Sequence, residues 1–301
     1  MGFLRSAGLT LASTILATSL GLDAQAASAK VAHLPPHPVK TPLERMADQT
    51  LLIKTEGTYK SIDETLVSSE GTVLAYKRDD RFTYFITNYH VIQPTLIDFK
   101  NEKYRLKLSF EPTTMRYSLL DNGIEYGQKG DACVLYADKK LDVAVVYAEN
   151  SELAKNGVSF TQVKPLMRPM HLGEQVTMVG YPLAVLQQAM TGIVSSRGTY
   201  NSSSDENPVP GYNLDIMNNG GVSGSGVFVQ QGTEIYWAGI AQSAYTNLRV
   251  LQMVPVTSFY DRIKDLTAPS CGCAKEGQTT AEIPSEGLTV PVNCPPKEKA
   301  E

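Results

Sequence analysis

Short runs of β-branched and aromatic residues recur along the middle of the chain, each followed by turn residues. Runs of this kind are typical of short strands. They are Thr72–Tyr76, Phe82–Thr87, Arg105–Phe110, Ala132–Ala137, Val143–Tyr147, Gln175–Val179, Gly192–Gly198, Gly226–Gln230, Ile235–Ala241 and Leu251–Val254. Because long helical patterns do not alternate with these runs, the sequence predicts an all-β barrel or sandwich and disfavours a parallel β-α-β fold.

Two shorter segments have the spacing of helices. One covers Leu43–Gln49, before the first predicted strand. The other covers Ser258–Leu266, where Thr257 or Ser258 is a suitable cap and Pro269 follows the end. The patterned region therefore begins and ends with a short helix.

The two ends of the chain lack this pattern. Residues 1–29 combine Arg5, an apolar run and small residues at positions 24, 26, 27 and 29, which is typical of a secretory signal peptide. A membrane anchor is the alternative, but the run is shorter than the roughly 20 apolar residues that span a bilayer. Residues 30–42 are expected to form a proline-rich linker, and residues 268–301 a flexible tail containing cysteines. We expect a folded domain over residues 43–267 in a secreted or periplasmic protein, without stable membrane insertion after signal removal.

Export makes disulfide bonds permissible, and the chain has four cysteines. The apolar surroundings of Cys133 favour a buried free thiol, which leaves a bridge between Cys294 and Cys271 or Cys273 within the tail. Four cysteines allow three connectivities, and the sequence does not choose among them. A tail of this composition adds little to a core, so a chain that ends at Pro269 is expected to keep its thermal midpoint.

Composition narrows the classes of function. The chain carries 27 Lys and Arg against 31 Asp and Glu, a net charge of -4, with 42% apolar and 19% charged residues. This is typical of a soluble globular protein. The absence of a Lys or Arg run argues against a nucleic-acid partner. No metal or cofactor is expected, because the tail cysteines lack a convincing fourth ligand.

The segment 219–226, with sequence NGGVSGSG, centres a serine between glycines directly before an apolar strand. Glycine on both sides permits a tight turn that exposes Ser223. The same turn points the backbone N–H groups of Gly221 and Ser223 into one concavity, as an oxyanion hole requires. A plain hairpin loop is the alternative for this segment taken alone.

Two further segments supply a base and an acid. Residues 85–92 (FITNYHVI) place His90 just past the end of a predicted strand, and residues 140–146 (KLDVAVV) place Asp142 at the mouth of another. A packed core histidine and a solvated carboxylate are the alternatives when each is taken alone. With Ser223, these side chains complete the set that nucleophilic hydrolysis of an amide needs.

In their order along the chain, these segments resemble the His, Asp and Ser motifs of trypsin-like serine proteases of the chymotrypsin fold. The His motif, residues 172–182 (LGEQVTMVGYP) and residues 191–195 (TGIVS) are most similar to the HtrA/Deg branch. The Ser motif resembles the glutamyl endopeptidase branch more closely, because Ser225 stands where most relatives carry glycine. The resemblance covers about residues 67–266.

The resemblance implies two six-stranded antiparallel β-barrels with a C-terminal helix. It implies an exported serine endopeptidase in which His90 is the general base, Asp142 fixes its tautomer and Ser223 attacks the carbonyl. Val222 replaces the aspartate that pairs with a newly cut N-terminus in digestive proteases, so that route of activation is not expected. The segment after Leu266 is too short for a PDZ module, so none is expected.

The resemblance also implies which residues bind substrate, by their positions relative to Ser223 in the family's motifs. They are Met217, Asn218, Ala241, Gln242 and Ser243. Met217 falls at the base of the specificity pocket, where an acidic residue would select Lys or Arg. Ala241 falls where glutamyl-specific relatives place a histidine. The expected partners are therefore protein or peptide substrates cleaved after a neutral, small or medium apolar side chain. A catalytically silent, protease-like module that binds peptides through edge strands is the alternative.

Overall fold

The computed structural model describes residues 40–58, 66–93, 96–98, 108–110, 114–121, 128–200, 209–217, 219–245, 249–269, 278–279 and 286–289. The predicted signal peptide and nearly all of the predicted linker lie outside these residues. In chain order the elements are α1 (Pro42–Asp48), β1 (Thr50–Thr58), β2 (Leu66–Arg78), β3 (Phe82–Thr87), α2 (Tyr89–Ile92), β4 (Leu96–Asp98), β5 (Leu108–Phe110), β6 (Thr114–Leu120), β7 (Gln128–Asp138), β8 (Val143–Glu149), α3 (Asn150–Lys155), β9 (Lys164–Pro165), β10 (Gln175–Gly180), β11 (Gln188–Tyr200), β12 (Val209–Asp215), β13 (Gly226–Gln231), β14 (Glu234–Tyr245), β15 (Val250–Pro255), α4 (Tyr260–Ile263), β16 (Gln278–Thr279) and β17 (Glu286–Thr289).

The strands form two closed six-stranded antiparallel barrels, which confirms the predicted fold class. The first barrel follows the order β6-β1-β2-β3-β8-β7 and closes where β6 pairs with β7. The second follows the order β13-β10-β11-β12-β15-β14 and closes where β13 pairs with β14. Closure leaves few unpaired sheet edges. Unpaired edges can pair with strands of other chains.

Each barrel is filled by its own apolar side chains, and a third cluster fills the space between the barrels. In that interface cluster the Trp237 ring lies 5.6 Å from the ring of Phe259 and 6.0 Å from that of Tyr76. The Trp237 indole N–H donates to the Gly239 carbonyl at 2.8 Å, so burial leaves no unpaired donor on this ring. Each fully buried large apolar side chain contributes about 1.5–3 kcal/mol. The two barrels are therefore held as one packed body.

Every predicted strand run but one lies inside an observed strand. The exception is Arg105–Phe110, of which only residues 108–110 are described, as β5. The pattern did not predict three of the barrel strands, β1, β6 and β12, or the short strands β4, β9, β16 and β17. Lys54, Glu56 and Arg116 interrupt the apolar residues of β1 and β6, and the two strands form because barrel closure pairs them, with Glu56 opposite Arg116.

The helices differ from the prediction in length. The first is close to expectation. It begins at Pro42, and the preceding Thr41 forms a capping box in which its hydroxyl accepts from the N–H of Glu44. The predicted helix over Ser258–Leu266 is wrong in extent, because α-helix covers only Tyr260–Ile263. Phe259 has a φ of -135° and separates this turn from a 3-10 turn at Val256–Ser258. Along the described chain, no helix is long and apolar enough to cross a lipid bilayer.

The expected free thiol at Cys133 is wrong, because Cys133 is disulfide-bonded. The other cysteines of the chain all lie beyond residue 269, so the bond ties the first barrel to the C-terminal segment. The same segment adds two strands to that barrel, with β16 pairing with β6 and β17 pairing with β7. At these positions the segment docks on the domain, unlike the flexible tail that its composition indicated.

We therefore expect a chain that ends at Pro269 to be less stable than the full chain. Truncation removes β16, β17 and the disulfide, which typically contributes about 2–4 kcal/mol. The thermal midpoint should fall by about 5–15 °C for a domain of this size. Calorimetry of the truncated chain, the full chain and a full-length Cys133→Ala variant separates the disulfide from the strand pairing. An unchanged midpoint in the truncated chain would contradict this expectation.

Candidate active site

The loop that carries Ser223 lies between β12 and β13 and is shaped by two glycines. Gly221 has a φ of 88° and Gly224 a φ of 84°, a region that is costly for residues with a Cβ. A Cβ on Gly221 would lie 2.5 Å from the Tyr181 carbonyl oxygen. A Cβ on Gly224 would lie 2.1 Å from the Thr72 carbonyl oxygen. Both positions therefore require glycine if Ser223 is to keep its place.

The peptide group between Gly220 and Gly221 is fixed in orientation. Its carbonyl accepts a hydrogen bond from the Leu183 N–H at 2.5 Å. Carbonyl and N–H point in opposite directions across a trans peptide, so the Gly221 N–H points away from Leu183. Among the described residues, no backbone acceptor pairs with the N–H of Gly221 or of Ser223. As far as the described residues go, both donors are therefore open to an acceptor outside the chain.

Two of the four described non-glycine residues with a positive φ lie at the support of this peptide group. Leu183 and Ala184 have φ values of 58° and 54°, although neither is glycine. Such conformations cost about 1–3 kcal/mol each and persist only where the surroundings impose them. The strain is thus located at the residue whose N–H holds the Gly220 carbonyl.

Thr72, on β2, ties the serine loop to the first barrel. Its N–H donates to the Ser223 carbonyl at 2.7 Å, and its hydroxyl donates to the Gly221 carbonyl at 3.0 Å. The same hydroxyl accepts from the Tyr181 N–H at 3.1 Å. Thr72 therefore holds the serine loop through its backbone and side-chain donors, and its hydroxyl oxygen also binds Tyr181.

His90 and Asp142 come from the first barrel, on segments that hold each other. His90 lies on α2, the single helical turn after β3, and Asp142 lies in the turn between β7 and β8 with a φ of 55°. The Asp142 carboxylate accepts from the His90 backbone N–H at 3.0 Å. The Asn88 amide donates to the Asp142 carbonyl at 2.9 Å. These contacts fix the two segments independently of the imidazole ring.

The structure brings the side chains of His90, Asp142 and Ser223 into one chain of hydrogen bonds. His90 Nδ1 lies 2.8 Å from Asp142 Oδ2, and His90 Nε2 lies 2.9 Å from Ser223 Oγ. A carboxylate only accepts hydrogen bonds, so the proton of the neutral imidazole belongs on Nδ1. Nε2 then presents its lone pair to the Ser223 hydroxyl. This is the arrangement that deprotonation of a serine by histidine requires.

The surroundings of His90 set its affinity for a proton. Burial lowers the pKa of His90, but attraction to the Asp142 carboxylate and the hydrogen bond to it outweigh burial. The net effect raises the pKa of His90 above its ordinary value of 6.5. The imidazole is therefore a stronger base than a free histidine side chain, because the adjacent negative charge stabilises its protonated form.

The residues predicted to bind substrate lie in different settings. Gln242 is buried, and its carbonyl lies 3.2 Å from Ser223 Oγ as a second acceptor for that hydroxyl. The carbonyl of Ala241 accepts from the Gly224 N–H at 2.9 Å, so this residue braces the serine loop. Ser243 is exposed, and its hydroxyl donates to the Gln252 side chain at 2.7 Å. Met217 is exposed after β12, and Asn218 lies outside the described residues.

Ser225 is accommodated by Gly180 on β10. The Ser225 side chain is completely buried, and a Cβ on Gly180 would lie 1.7 Å from its Oγ. The serine therefore fills space that any other residue at position 180 would occupy. This packing explains how the loop carries a serine where glycine is common in related motifs.

Comparison with known proteins identifies the family. A family model described as a trypsin-like peptidase domain matches residues 65–235, which is more than half of the chain. The chain belongs to the trypsin-like peptidase domain family. The matched span contains His90, Asp142 and Ser223, and the predicted membership is confirmed.

Known proteins similar to this trypsin-like domain include two proteases. The serine protease Do-like HtrA of Lactococcus lactis subsp. lactis (strain IL1403) is 29% identical over 196 aligned residues, and the match covers 63% of this chain and 41% of that protein. The chain thus spans about two fifths of the length of that relative. The Rv3671c protease from M. tuberculosis, in its active form, has a TM-score of 0.51 at 15% identity over 79% of this chain and 94% of that chain. At this identity the second likeness supports the fold alone.

Sequence reasoning missed three supporting residues of the trypsin-like domain: Thr72, Asn88 and Leu183. Thr72 and Leu183 act through hydrogen bonds to the serine loop across long sequence separations, which no local pattern encodes. Asn88 carried a usable signal, because a polar residue directly after a buried strand and two positions before His90 is suited to bracing the segment that carries the aspartate.

We expect Thr72→Val to lower kcat by about 10–100-fold, because small displacements of positioned groups have effects of this size. Valine keeps the shape of threonine but loses the hydroxyl that holds the Gly221 carbonyl. Thr72→Ser restores a hydroxyl and should recover most of the activity. Hydrolysis rates and thermal midpoints of both variants check this role. Equal kcat values for Thr72→Val and the unmodified chain would contradict it.

Proposed function

We propose that this chain is an exported serine endopeptidase that hydrolyses peptide bonds through an acyl-enzyme intermediate. The observation that carries the proposal is the unbroken series of hydrogen bonds from Asp142 through His90 to the Ser223 hydroxyl. Membership of the trypsin-like peptidase family supports the same function. A serine hydroxyl is a weak nucleophile at neutral pH, and an adjacent oriented base is what activates it.

In the acylation step, Ser223 Oγ forms a bond to the carbonyl carbon of the substrate while its proton moves to His90 Nε2. Negative charge then develops on the carbonyl oxygen. Protonated His90 is stabilised by Asp142 and returns the proton to the leaving amine nitrogen as the carbon–nitrogen bond breaks. The acyl group remains as an ester on Ser223.

In the deacylation step, water takes the place of the departed amine. His90 removes a proton from the water as its oxygen bonds to the ester carbon, and then returns that proton to Ser223 Oγ as the ester bond breaks. The carboxylic acid product leaves, and the starting state is restored. The same imidazole thus serves as base and acid in each half of the cycle.

The N–H groups of Gly221 and Ser223 stabilise the oxyanion in both steps. Removal of one such donor typically costs about 10²–10³-fold in kcat. The hydrogen bonds from the Leu183 N–H to the Gly220 carbonyl and from the Ser225 N–H to the Val222 carbonyl fix the peptide groups that carry these donors before substrate arrives. Donors held in this way need no reorganisation as the charge develops.

The proposed substrates are proteins or unfolded chains with a neutral, small or medium apolar side chain before the cleaved bond. Met217, Asn218, Ala241, Gln242 and Ser243 are assigned to this recognition by their position relative to Ser223. None of these residues is charged, so neither a basic nor an acidic side chain gains an ion pair from them.

Export accounts for both the N-terminal sequence and the disulfide. Residues 1–29 have the composition of a signal peptide. A disulfide at Cys133 is stable in an oxidising compartment outside the cytoplasm. The proposed location is therefore secreted or periplasmic, and N-terminal sequencing of the mature protein should find residues 1–29 removed.

A peptide library tests the proposed activity and specificity together. We expect the purified mature chain to cleave after small or medium apolar residues, with no loss of activity when a metal chelator is added. The Ser223→Ala variant is the matched control for contaminating proteases. Cleavage confined to bonds after charged residues would overturn the proposed specificity, and equal cleavage by the control would overturn the activity.

A further inference from the structure

A cavity of about 710 Å³ opens beside the turn that carries Asp142. Its walls come from that turn, from the paired strands β11 and β12, and from residues 255–262 at the end of the second barrel. None of His90, Asp142 and Ser223 lines it. Its volume lies within the range of about 300–1,000 Å³ typical of ligand sites.

Three cationic side chains line this cavity: Lys140, Arg197 and Arg262. Asp and Glu are missing from the described residues that line it, although the whole chain has a net charge of -4. Arg262 pairs with the buried carboxylate of Asp138 at 2.6 Å, whereas among the described residues no carboxylate lies within ion-pair distance of Lys140 or Arg197. The cavity is therefore a local region of positive charge, here named the cationic cavity.

The cationic cavity also has an apolar wall. Leu141, Pro169, Pro210, Tyr212 and Pro255 contribute to it beside the charged side chains. Proline rings and a tyrosine ring bind apolar side chains well, whereas a polyanionic sugar or an inorganic anion makes little use of them. Charges next to apolar surface therefore match a polypeptide segment in which acidic and apolar residues are mixed.

We propose that the cationic cavity is a secondary binding site for an acidic and apolar segment of a protein substrate. Describing the occupant as a substrate rests on the proposed function. Lys140 and Leu141 directly precede Asp142, so a bound segment lies next to the turn that carries a member of the hydrogen-bonded relay. Binding there adds affinity for the substrate without adding a catalytic group, so the expected effect falls on KM and not on kcat.

The test measures binding in the full-length Ser223→Ala variant, which separates it from hydrolysis. The probe is a short fluorescein-labelled peptide in which Glu alternates with Leu, and the comparison probe carries Lys in place of Glu. The second variant adds Lys140→Ala and Arg197→Ala to Ser223→Ala. The matched control adds Arg78→Ala and Lys155→Ala, which remove the same two charges from exposed positions outside the cavity. Arg262 is left unchanged because it also neutralises Asp138.

We expect the acidic peptide to bind, and the loss of Lys140 and Arg197 to weaken binding by about ten-fold. The control variant should bind like the parent, and raising the salt concentration should weaken binding because screening shortens the range of charge attraction. Equal binding by the cavity variant and the control would overturn the proposal. So would tighter binding of the basic peptide, or binding of heparin with none of the acidic peptide.

Measurements of hydrolysis then separate this inference from the proposed function. With Ser223 present, extension of a cleavable peptide by an acidic and apolar segment should lower KM, and Lys140→Ala with Arg197→Ala should remove that advantage. The unextended peptide should be cleaved equally by both forms. Binding of the acidic peptide without any hydrolysis would leave the cationic cavity in place and overturn the enzymatic proposal.

Discussion

Ser223→Ala is expected to abolish peptide-bond hydrolysis and leave the fold intact. Loss of a nucleophilic serine from a comparable relay costs about 10⁶-fold in kcat. The hydroxyl contributes no apolar surface to either barrel, and alanine tolerates the conformation of the loop, so the thermal midpoint should stay unchanged. The hydrolysis rate of a cleavable peptide checks the loss of activity, and calorimetry checks that the thermal midpoint is unchanged.

A double variant that combines Ser223→Ala with His90→Ala tests whether the two side chains act together. Because Ser223 and His90 act as a unit, each single variant should lose about as much activity as the double variant. Single variants that each retain substantial activity, with losses that multiply in the double variant, would show that the two groups act independently. That outcome would contradict the proposed mechanism.

Asp142→Asn is expected to lower kcat by about 10⁴-fold, because an amide in this position favours the wrong imidazole tautomer. The pH profile should change as well. The unmodified enzyme needs neutral His90, so kcat/KM should rise with pH through a midpoint above 6.5. Removing the negative charge of Asp142 removes the main influence that raises the pKa of His90, and the midpoint should move to lower pH.

Asp138→Asn is a useful comparison, since Asp138 is a buried carboxylate at the end of β7, just before the turn that carries Asp142, and has no hydrogen bond to His90 among the described residues. It should leave the midpoint of the pH profile unchanged even if it lowers stability. A midpoint that stays at the same pH in Asp142→Asn would show that Asp142 does not control the basicity of His90.

The fold and the reactive side chains could be predicted from sequence because their signals are local. Short runs of β-branched and aromatic residues followed by turn residues indicate the strands, and the glycines around Ser223 indicate a tight turn whatever surrounds them. The contacts that position these side chains join residues that lie far apart along the sequence. Thr72 lies far from Ser223 along the chain, and only the packing of one barrel against the other makes it a partner of the serine loop.

In the C-terminal segment, the structure differs from what the composition predicted. Its composition indicated disorder, because few large apolar residues are present to form a core. β16 and β17 instead gain order by pairing with β6 and β7, strands that already exist, and a disulfide joins the segment to Cys133. Backbone hydrogen bonds and a covalent bond need no apolar side chains, so composition alone could not predict this docking.

The most direct test of the central claim is covalent labelling by a phosphonate probe that reacts only with activated serines. Mass spectrometry of the labelled, digested chain identifies the modified residue. The proposed mechanism predicts a single label on Ser223, which is lost in both Ser223→Ala and His90→Ala. An unlabelled chain, a label on another serine, or undiminished labelling of Ser223 in His90→Ala would contradict it.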